Sequence, residues 1–529
     1  MKSQLIACSW KWLPWKPNHT AINGAEGGPS KMKRQLLILG LFVLLAGSAH
    51  AATVYVSQSG GSESCGADGT QATTAMGSVS WVAGNIYKLC GTITSQVAPK
   101  VSGTSASPIL ISFETGAMIS MSSCGSTGCI YLDGLSYITI DGGTNGVIQA
   151  TDSGTGMGSG DSVAIYARSK VSDCIIRNLT IANMYVHSST SDGASNSYFG
   201  IWLDGSNNLI YNNTIHDAMA GIKVETPASG NQYYKNTIYN INWGFMETGA
   251  SSSTTNGNTN EKIYNNNIYD FENWDTTADT YHHDGIFAAG GASSAEMSNF
   301  DIYDNYIHGS TSSPTTCASA ASGSCMTAMI YINTANNMRD YNNVLVANTG
   351  EYVNNGWILH YIDASDSILN NTVIGGTTAD GGCIRVESTT GVRMENNIMS
   401  NCNELMWTDT ASTFSSIDYN TYQDPSLSAG IWDISGTNYT SFAAWQSAIG
   451  GDTHGQATTG SLGLSTSYLP QTGSKVIGVG ANLTSLGITA LDSDAGGNAR
   501  PSTGAWSAGA YQPSTATVAP PTGLTATPH

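Results

Sequence analysis

Two adjacent histidines and an aspartate form the segment of the sequence with the strongest potential for acid–base chemistry. His282, His283 and Asp284 stand in the run TYHHDGIF, directly before a predicted strand. An imidazole can act as a general base near neutral pH, and a neighbouring carboxylate can orient it. Adjacent residues of a strand point to opposite faces, so only one histidine can line a cleft, and we assign that position to His283 with Asp284 as its partner. The alternative is an Asp-Gly turn in which the histidines cap a loop.

A second group of polar and aromatic residues recurs about nine positions before each of a series of asparagines. In these segments apolar residues alternate with larger ones, which places the larger residues on the outer face of a strand. The segment Gly244–Glu247 fits only with a register shift of one residue. The expected outward pairs, which would form two neighbouring columns, are Trp202 and Asp204, Lys223 and Glu225, Phe287 and Ala289, Tyr331 and Asn333, Tyr361 and Asp363, Arg385 and Glu387, and Trp407 and Asp409.

Such columns are typical of a surface that binds sugars. Aromatic rings suit the flat apolar faces of sugar rings, carboxylates and amides suit hydroxyl groups, and basic residues hold uronate carboxylates. The alternative is that stacked rings and ion pairs only stabilise the sheet. On the first interpretation the substrate-binding residues are Trp202, Asp204, Glu225, His282, Phe287, Asn333, Tyr361, Glu387 and Trp407.

The same segments supply the groups needed for β-elimination on a uronate-containing polysaccharide. This reaction requires neutralisation of the carboxylate, a base at C5 and an acid at the glycosidic oxygen. Lys223, Arg385 or Ca²⁺ could neutralise the carboxylate, His283 or Lys223 could be the base, and Tyr331 could be the acid. These residues and Asp284 are therefore the expected catalytic set.

Hydrolysis and metal binding are less well specified. Hydrolysis needs two carboxyl groups on either side of the scissile bond, and no pair is singled out. The Asp-rich loops 152–161 and 270–284 could bind Ca²⁺ through oxygen ligands, although EF-hand spacing is absent. No Cys/His spacing suggests zinc. Ca²⁺ is thus the one cofactor considered, without assigned ligands. The carboxylates available for hydrolysis are Asp204, Glu225, Asp284 and Glu387.

A repeated pattern indicates how these residues are positioned. The pattern recurs along the middle of the chain and begins with an apolar residue followed by one or two aromatic or polar residues. It continues with Asn, any residue, and then Ile or Val. The intervals between the asparagines range from 23 residues (213 to 236) to 39 residues (266 to 305). A fixed minimum with longer intervals is typical of a solenoid whose corners carry insertions. The repeated asparagines are Asn213, Asn236, Asn266, Asn305, Asn342, Asn371, Asn396 and Asn420.

The repeat predicts an all-β chain, a right-handed parallel β-helix that forms a single elongated domain. No amphipathic segment of helical length lies between the asparagines. The 60 glycines and a charged fraction of only 11% suit short strands joined by turns. One Asn per coil can bond the backbone of adjacent coils and so form a ladder.

Segments at both ends of the repeat region resemble the pectate-lyase-like right-handed parallel β-helix superfamily, in particular its secreted bacterial β-helix repeat proteins. TVYVSQSG at 53–60 and SGTSASPILI at 102–111 are similar to that family's first coil, and DAGGNARPSTGAWSAGAYQ at 494–512 is similar to its closing segment. The resemblance covers residues 53–512. It implies a polysaccharide lyase, a glycoside hydrolase or a C5-epimerase, although no catalytic signature can be matched residue by residue. A non-catalytic glycan-binding or adhesin-like solenoid is the alternative.

The sequence also predicts the order of segments along the chain. Residues 32–51 read as a signal peptide, with a basic start, a short apolar run and the small-x-small site Ala49-His50-Ala51, so residues 1–31 are expected to be a mis-assigned extension. Residues 52–512 are the expected β-helix. Residues 513–529 read as a Pro/Thr-rich linker or the start of a fibronectin type III-like module. The expected loop insertions are 248–260, 270–284 and 309–327.

Charge and cysteine content indicate an extracellular setting. A net charge of −19 argues against nucleic acid and anionic membranes as partners, and leaves an extracellular polysaccharide as the expected partner of a secreted monomer. No apolar run of the mature chain is long enough to span a membrane. The cysteines fall into local pairs, as expected in an oxidising compartment. The expected pairs are Cys65 with Cys90, Cys124 with Cys129, Cys317 with Cys325 and Cys383 with Cys402, which leaves Cys174 single.

Overall fold

The computed structural model describes most of the chain after residue 50. All described residues belong to the unit Ala51–His529, the second of two units into which the chain divides. Outside the described part lie residues 1–50, which hold all of the predicted signal peptide except Ala51, and residues 514–529. His282, Cys317, Cys325 and most residues of the predicted insertions also lie outside it. The described ranges are 51–61, 63–65, 70–152, 160–185, 198–249, 257–271, 283–290, 297–310, 326–348, 356–376, 382–425 and 431–513.

Short parallel strands stack coil upon coil, and each complete coil contributes one strand to each of three faces. Hydrogen bonding continues around the corners, so that 35 of the described strands belong to one sheet, which is parallel almost throughout. Connections between parallel strands are right-handed in nearly all proteins. The predicted all-β right-handed parallel β-helix is confirmed.

Face 1 carries the predicted outward columns. Its strands are Ile130–Tyr131, Ser162–Ser172, Tyr198–Ser206, His283–Ala289, Met326–Asn333, Gly356–Tyr361, Gly382–Glu387, Glu404–Thr408 and Trp432–Ile434. Two longer strands, Thr214–Ser229 and Thr237–Thr248, begin on face 3 and turn the corner onto face 1.

Faces 2 and 3 complete each coil. The strands of face 2 are Thr53–Ser57, Ile86–Leu89, Ile109–Phe113, Leu209–Tyr211, Gln232–Tyr234, Lys262–Tyr264, Asp301–Tyr303, Arg339–Tyr341, Ser367–Leu369, Val392–Glu395 and Phe414–Asp418. Two strands turn from face 2 onto face 3, namely Ile138–Ala150 and Ile175–Ala182. The strands of face 3 are Thr92–Ile93, Met118–Met121, Asn267–Phe271, Tyr306–His308, Val344–Val346, Thr372–Ile374, Ile398–Ser400, Thr421–Gln423 and Gln456–Thr458.

The remaining elements are short. The pairs Glu63–Cys65 with Thr70–Ala72 and Trp432–Ile434 with Thr437–Tyr439 are antiparallel, and Met297–Ser298 pairs in parallel with Ala335–Asn336. Thr74–Ala75 adds to the first strand. The α-helix Phe442–Ile449 begins after Ser441, whose Oγ accepts the Ala444 amide, and ends at the left-handed residue Gly450. The 3₁₀ turns are Met76–Ser78, Thr484–Leu486 and Thr489–Asp492.

The core is a set of aliphatic columns that run through the solenoid. On face 1, Ile201, Ile222 and Ile286 point inward and are fully buried, and on face 3 Ile215 and Ile238 do the same. Because consecutive coils are one strand spacing apart, about 4.8 Å, each side chain packs on its equivalent in the next coil. This continuous core leaves alternate residues of face 1 free to form the outer surface.

The asparagine ladder is confirmed, with two shifts of position. Asn236 Nδ2 lies 3.1 Å from Asn266 Oδ1 and 3.0 Å from the carbonyl oxygen of Ile210, and this pattern repeats along the ladder. In the coils where two asparagines are adjacent, Asn343 and Asn397 occupy the ladder rather than the predicted Asn342 and Asn396.

The two displaced asparagines have a separate role. Asn342 and Asn396 adopt left-handed φ values of 56° and 62° and point outward. Asn342 donates to the carbonyl oxygen of Ser493, and Asn396 donates to that of Ala481. These two residues hold the irregular C-terminal segment, residues 459–513, against the solenoid.

Three of the predicted disulfides are present, Cys65–Cys90, Cys124–Cys129 and Cys383–Cys402. Among the described cysteines, Cys174 is the free one, and burial raises the pKa of its thiol to about 12. Disulfides indicate an oxidising compartment. No helix in the described residues is long and apolar enough to cross a membrane.

Candidate functional site

The outer surface of face 1 carries two columns of side chains in register. The first column contains Trp202, Lys223, Phe287, Tyr331, Arg385 and Trp407, as predicted. The second column contains Glu225, Ala289, Asn333 and Glu387, as predicted, together with Thr248. The alternation of the sequence therefore located most of this surface.

Tyr361 is displaced from its predicted column. Its register partners are Asn333 and Glu387, so Tyr361 lies in the second column, and Leu359 takes the place next to Tyr331. The prediction was wrong because the strand Gly356–Tyr361 ends at the tyrosine, so that the alternating pattern was read two residues late. Asp363 consequently lies beyond the strand and is buried.

The register shift considered for Gly244–Glu247 does not occur. Met246 stands between Lys223 and Phe287 in the first column. Glu247 therefore points into the solenoid, where it is fully buried. The sequence suggested a shift because a carboxylate was not expected at an inward position.

A cluster of two cations and two carboxylates lies near the start of face 1. We name Arg168, Trp202, Asp204, Lys223 and Glu225 the Arg168 cluster. Arg168 Nη2 lies 2.5 Å from Glu225 Oε2, and Arg168 Nε lies 3.5 Å from Asp204 Oδ2. Lys223 Nζ lies 3.3 Å from Glu225 Oε1. Both cations thus meet one carboxylate.

An aromatic ring forms the floor of this cluster. The guanidinium carbon of Arg168 lies 4.4 Å from the ring centroid of Trp202, and Lys223 Nζ lies 5.1 Å from that of Phe199. Cations over aromatic faces are stabilised by the ring quadrupole. The side chains of Arg168 and Glu225 are each 26% exposed, so the cluster is open to solvent.

A smaller cluster of the same type lies farther along the face. The guanidinium carbon of Arg385 is 4.0 Å from the ring centroid of Trp407, and its Nη2 lies 2.9 Å from Glu387 Oε2. Asp409 accepts from the hydroxyl and backbone of Ser412 at 2.5 and 2.8 Å, and from the backbone and hydroxyl of Ser388 at 3.0 and 3.1 Å. These bonds, those from Ser412 most of all, lower the pKa of this carboxyl.

Aromatic residues connect the two clusters. The rings of Phe287 and Tyr331 stack with their centroids 5.2 Å apart. Asn333 Nδ2 donates to the Tyr331 hydroxyl at 3.0 Å. Burial raises the pKa of Tyr331 to about 12. Tyr331 is 7% exposed, so little of this phenol meets solvent.

His283 and Asp284 are both buried. His283 is 1% exposed, and its ring centroid lies 6.3 Å from that of Trp243. Asp284 Oδ1 accepts the Ala328 amide at 2.9 Å, and burial raises the pKa of this carboxyl well above its usual range. A base must reach the proton that it removes. The burial of His283 removes the expected access to a bound polymer.

The predicted catalytic residues do not meet in one place. Lys223 and Arg385 are separated by five steps along the first column, which is about 24 Å at the strand spacing of a sheet. Tyr331 lies three steps from Lys223, or about 14 Å. Lys223 and Arg385 therefore belong to two separate clusters.

Sequence reasoning missed Arg168. This residue lies one coil before the first repeated Asn, in the strand Ser162–Ser172, where no repeat marks the register. Sequence reasoning also missed a column of stacked tyrosines on face 2, whose ring centroids are 4.7 to 5.0 Å apart. These rings are Tyr211, Tyr234, Tyr264, Tyr303 and Tyr341.

Comparison with known proteins gives similarities of fold. No protein-family model matches the chain, and no curated protein matches it. Pectate lyase Pel9A is similar at a TM-score of 0.42 and 13% identity, over 88% of this chain and 98% of that chain. DFA-IIIase from Arthrobacter chlorophenolicus A6 in complex with DFA-III is similar at 0.39 and 10%, over 65% and 85%. The periplasmic alginate epimerase AlgG is similar at 0.33 and 11%, over 64% and 70%.

Similarities at such low identities and TM-scores say nothing about the substrate or reaction of this chain. The three-faced coil, the buried aliphatic columns and the asparagine ladder are properties of this chain's own structure. Together they give the chain a right-handed parallel β-helix fold.

Proposed function

We propose that this chain is a secreted, carbohydrate-active protein that binds a uronate-containing polysaccharide along the outer surface of face 1. The observation that carries the proposal is the convergence of Arg168 and Lys223 on Glu225, above the ring of Trp202. A planar guanidinium beside an aromatic ring is suited to a sugar that carries a carboxylate. Glu225 holds the two cations in place until a substrate carboxylate competes for them.

β-Elimination is the reaction that we propose for this cluster. Arg168 would neutralise the uronate carboxylate, and Lys223, after losing its ammonium proton to solvent, would take the proton from C5. The C4–O bond would then break as the C4–C5 double bond forms, and the departing oxygen would take a proton from water. Hydrolysis has less support, because Asp204 and Glu225 both contact the same guanidinium. A hydrolase needs its two carboxyl groups on either side of the scissile bond.

Binding without cleavage is the second candidate. Its support is the continuous first column, in which Phe287 and Tyr331 stack between the two clusters. Stacked rings and paired cations are sufficient for a glycan-binding solenoid and require no base. The two candidates differ in whether a new double bond is formed.

A panel of uronate and neutral polysaccharides distinguishes these candidates. The purified protein is incubated with each polymer, and ultraviolet absorbance is followed for the unsaturated product of elimination. A lyase gives rising absorbance with uronate polymers only. Retention on a uronate polymer without rising absorbance supports the binding protein, and no affinity for any uronate polymer overturns the proposal.

Arg393 provides a matched control. It lies on face 2, and its Nη1 is 2.7 Å from Glu395 Oε1, so it is a half-buried cation paired with a carboxylate, as Arg168 is. Arg393→Ala removes the same kind of ion pair from a face that we do not propose to bind substrate. Its binding and turnover should equal those of the wild type.

A further inference from the structure

Two sets of four residues with polar side-chain groups lie inside the solenoid at equivalent positions of the coil. The first set is Tyr233, Glu247, Asn258 and Glu261, here named the Glu247 quartet. The second set is Asp340, His360, Asp363 and Asp366, here named the His360 quartet. All eight residues are at most 4% exposed.

Strand register shows the equivalence. One step leads from a residue to its register partner in the next coil. Three such steps lead from Glu247 to His360, and three lead from Tyr233 to Asp340. Three steps also relate Lys262 to Ser367, the residues that follow Glu261 and Asp366. Three steps likewise relate Thr259 to Ala364, the residues that follow Asn258 and Asp363. The positions in between hold only buried apolar residues, namely Ile263, Ala288, Met297, Phe300, Ile302, Ile332, Ala335 and Met338.

The Glu247 quartet can be neutral. Asn258 Nδ2 donates to Glu247 Oε2 at 2.8 Å, and Asn231 Nδ2 donates to Glu261 Oε1 at 3.1 Å. Burial raises the pKa of both glutamates. Two protonated carboxyl groups beside amides bury no net charge.

The His360 quartet has a different donor set. His360 Nε2 lies 2.7 Å from Asp340 Oδ2, and His360 Nδ1 lies 2.8 Å from Asp366 Oδ2 and 3.6 Å from Asp363 Oδ2. Asp363 Oδ1 accepts the Ala335 amide at 2.9 Å. All four side chains are fully buried. Three carboxylates therefore surround one imidazole at the centre of the solenoid.

Charge and geometry together favour a cation here. If all three aspartates are ionised, an imidazolium reduces their charge of −3 to −2, whereas a divalent ion beside a neutral imidazole reduces it to −1. Uncompensated buried charge is costly. The ligand atoms of His360, Asp363 and Asp366 all lie within 4.8 Å of one another. The contact of Asp340 with the other ring nitrogen is the arrangement by which carboxylates orient metal-binding histidines.

We propose that His360 Nδ1, Asp363 and Asp366 bind a divalent transition-metal ion of the Zn²⁺ type inside the β-helix, with Asp340 as the positioning residue. One imidazole nitrogen and two carboxylate oxygens suit Zn²⁺, whereas Ca²⁺ takes six to eight oxygen ligands. The three ligands lie in one coil, and the contact of His360 with Asp340 links the site to the coil before. The site is separate from the outer face and does not depend on the proposed reaction.

Metal analysis of the full chain tests this site. Protein purified from zinc-supplemented medium, and dialysed, should contain about one Zn²⁺ per chain. Stripping with a chelator should lower Tm by about 3 °C or more, and Zn²⁺ but not Ca²⁺ should restore it. These wild-type measurements do not depend on whether a variant folds.

Variants locate the ion. Asp363→Asn and Asp366→Asn should each reduce bound zinc by tenfold or more, whereas Glu261→Gln, at the position equivalent to Asp366, should retain it. Zinc well below one equivalent together with a Tm unaffected by chelator and by Zn²⁺ would overturn the proposal and leave His360 as a buried imidazolium. Equal zinc in Asp366→Asn and Glu261→Gln would also overturn it.

Discussion

Arg168 Nη2 lies 2.5 Å from Glu225 Oε2, although the two residues are 57 positions apart in the chain. The register of the solenoid brings them together, because Tyr166 pairs with Trp202 and Trp202 pairs with Lys223 on successive coils. Two steps of the coil thus bring one cation from an early strand next to a second cation and a carboxylate. The cluster depends on strand register, which the asparagine ladder helps to fix.

Lys223→Ala should abolish turnover of a uronate polysaccharide if Lys223 removes the C5 proton. Removal of a positioned base lowers the rate by about 10²- to 10⁴-fold. The initial rate of absorbance increase measures the loss, with Arg393→Ala as the control. A rate within threefold of wild type would exclude Lys223 as the base.

Asn305→Ala should destabilise the fold strongly. Asn305 Oδ1 accepts from both the amide and the side chain of Asn266, and its Nδ2 donates to Ile263. Loss of these buried partners should reduce the free energy of unfolding by about 2 to 4 kcal/mol. Chemical denaturation measures it. Asn212→Gly, which keeps the left-handed backbone of an outward Asn, should cost less than about 1 kcal/mol.

The ladder shows how far a sequence pattern can locate structure. Seven intervals with a fixed minimum predicted the solenoid, and in six coils the predicted asparagine occupies the ladder. Asn342 and Asn396 were misassigned because each has an adjacent asparagine, and one residue of slip moves a side chain from inside to outside. The choice between neighbours depends on the distant C-terminal segment, which no local pattern contains.

The interior quartets were beyond sequence reasoning for a different reason. His360 was given no role from the sequence, where only Tyr361 beside it fitted the aromatic pattern. Asp340 and Glu247 occupy positions that hold apolar residues in neighbouring coils. Only the register of adjacent coils shows that these polar residues meet. The signal available in the sequence was their departure from the aliphatic repeat.

Stability should fall as pH rises through the neutral range. Burial raises the pKa of Glu247 from 4.5 to about 8. Because the pKa is higher in the folded state, this stabilisation is complete below pH 4.5 and is lost as pH rises towards 8. The free energy of unfolding, measured by denaturation at several pH values, should therefore decrease across this window.

Glu247→Gln should flatten this dependence, because its amide has no proton to lose in this range. The control is Glu387→Gln, whose side chain is 30% exposed on the outer face. It should follow the wild-type curve. A free energy of unfolding that rises between pH 5 and 8, to the same extent in the wild type and in both variants, would contradict a neutral Glu247.

The affinity of Arg168→Ala for polysaccharides tests the central claim most directly. Loss of a charge-assisted contact should raise the Kd for polygalacturonate or alginate by about 10- to 100-fold. Affinity for a neutral glucan should be unchanged, and circular dichroism should confirm that the variant is folded. Arg393→Ala should bind as the wild type does. Equal affinity of wild type and Arg168→Ala for the uronate polymers, or an equal loss in Arg393→Ala, would contradict the assignment of substrate binding to the Arg168 cluster.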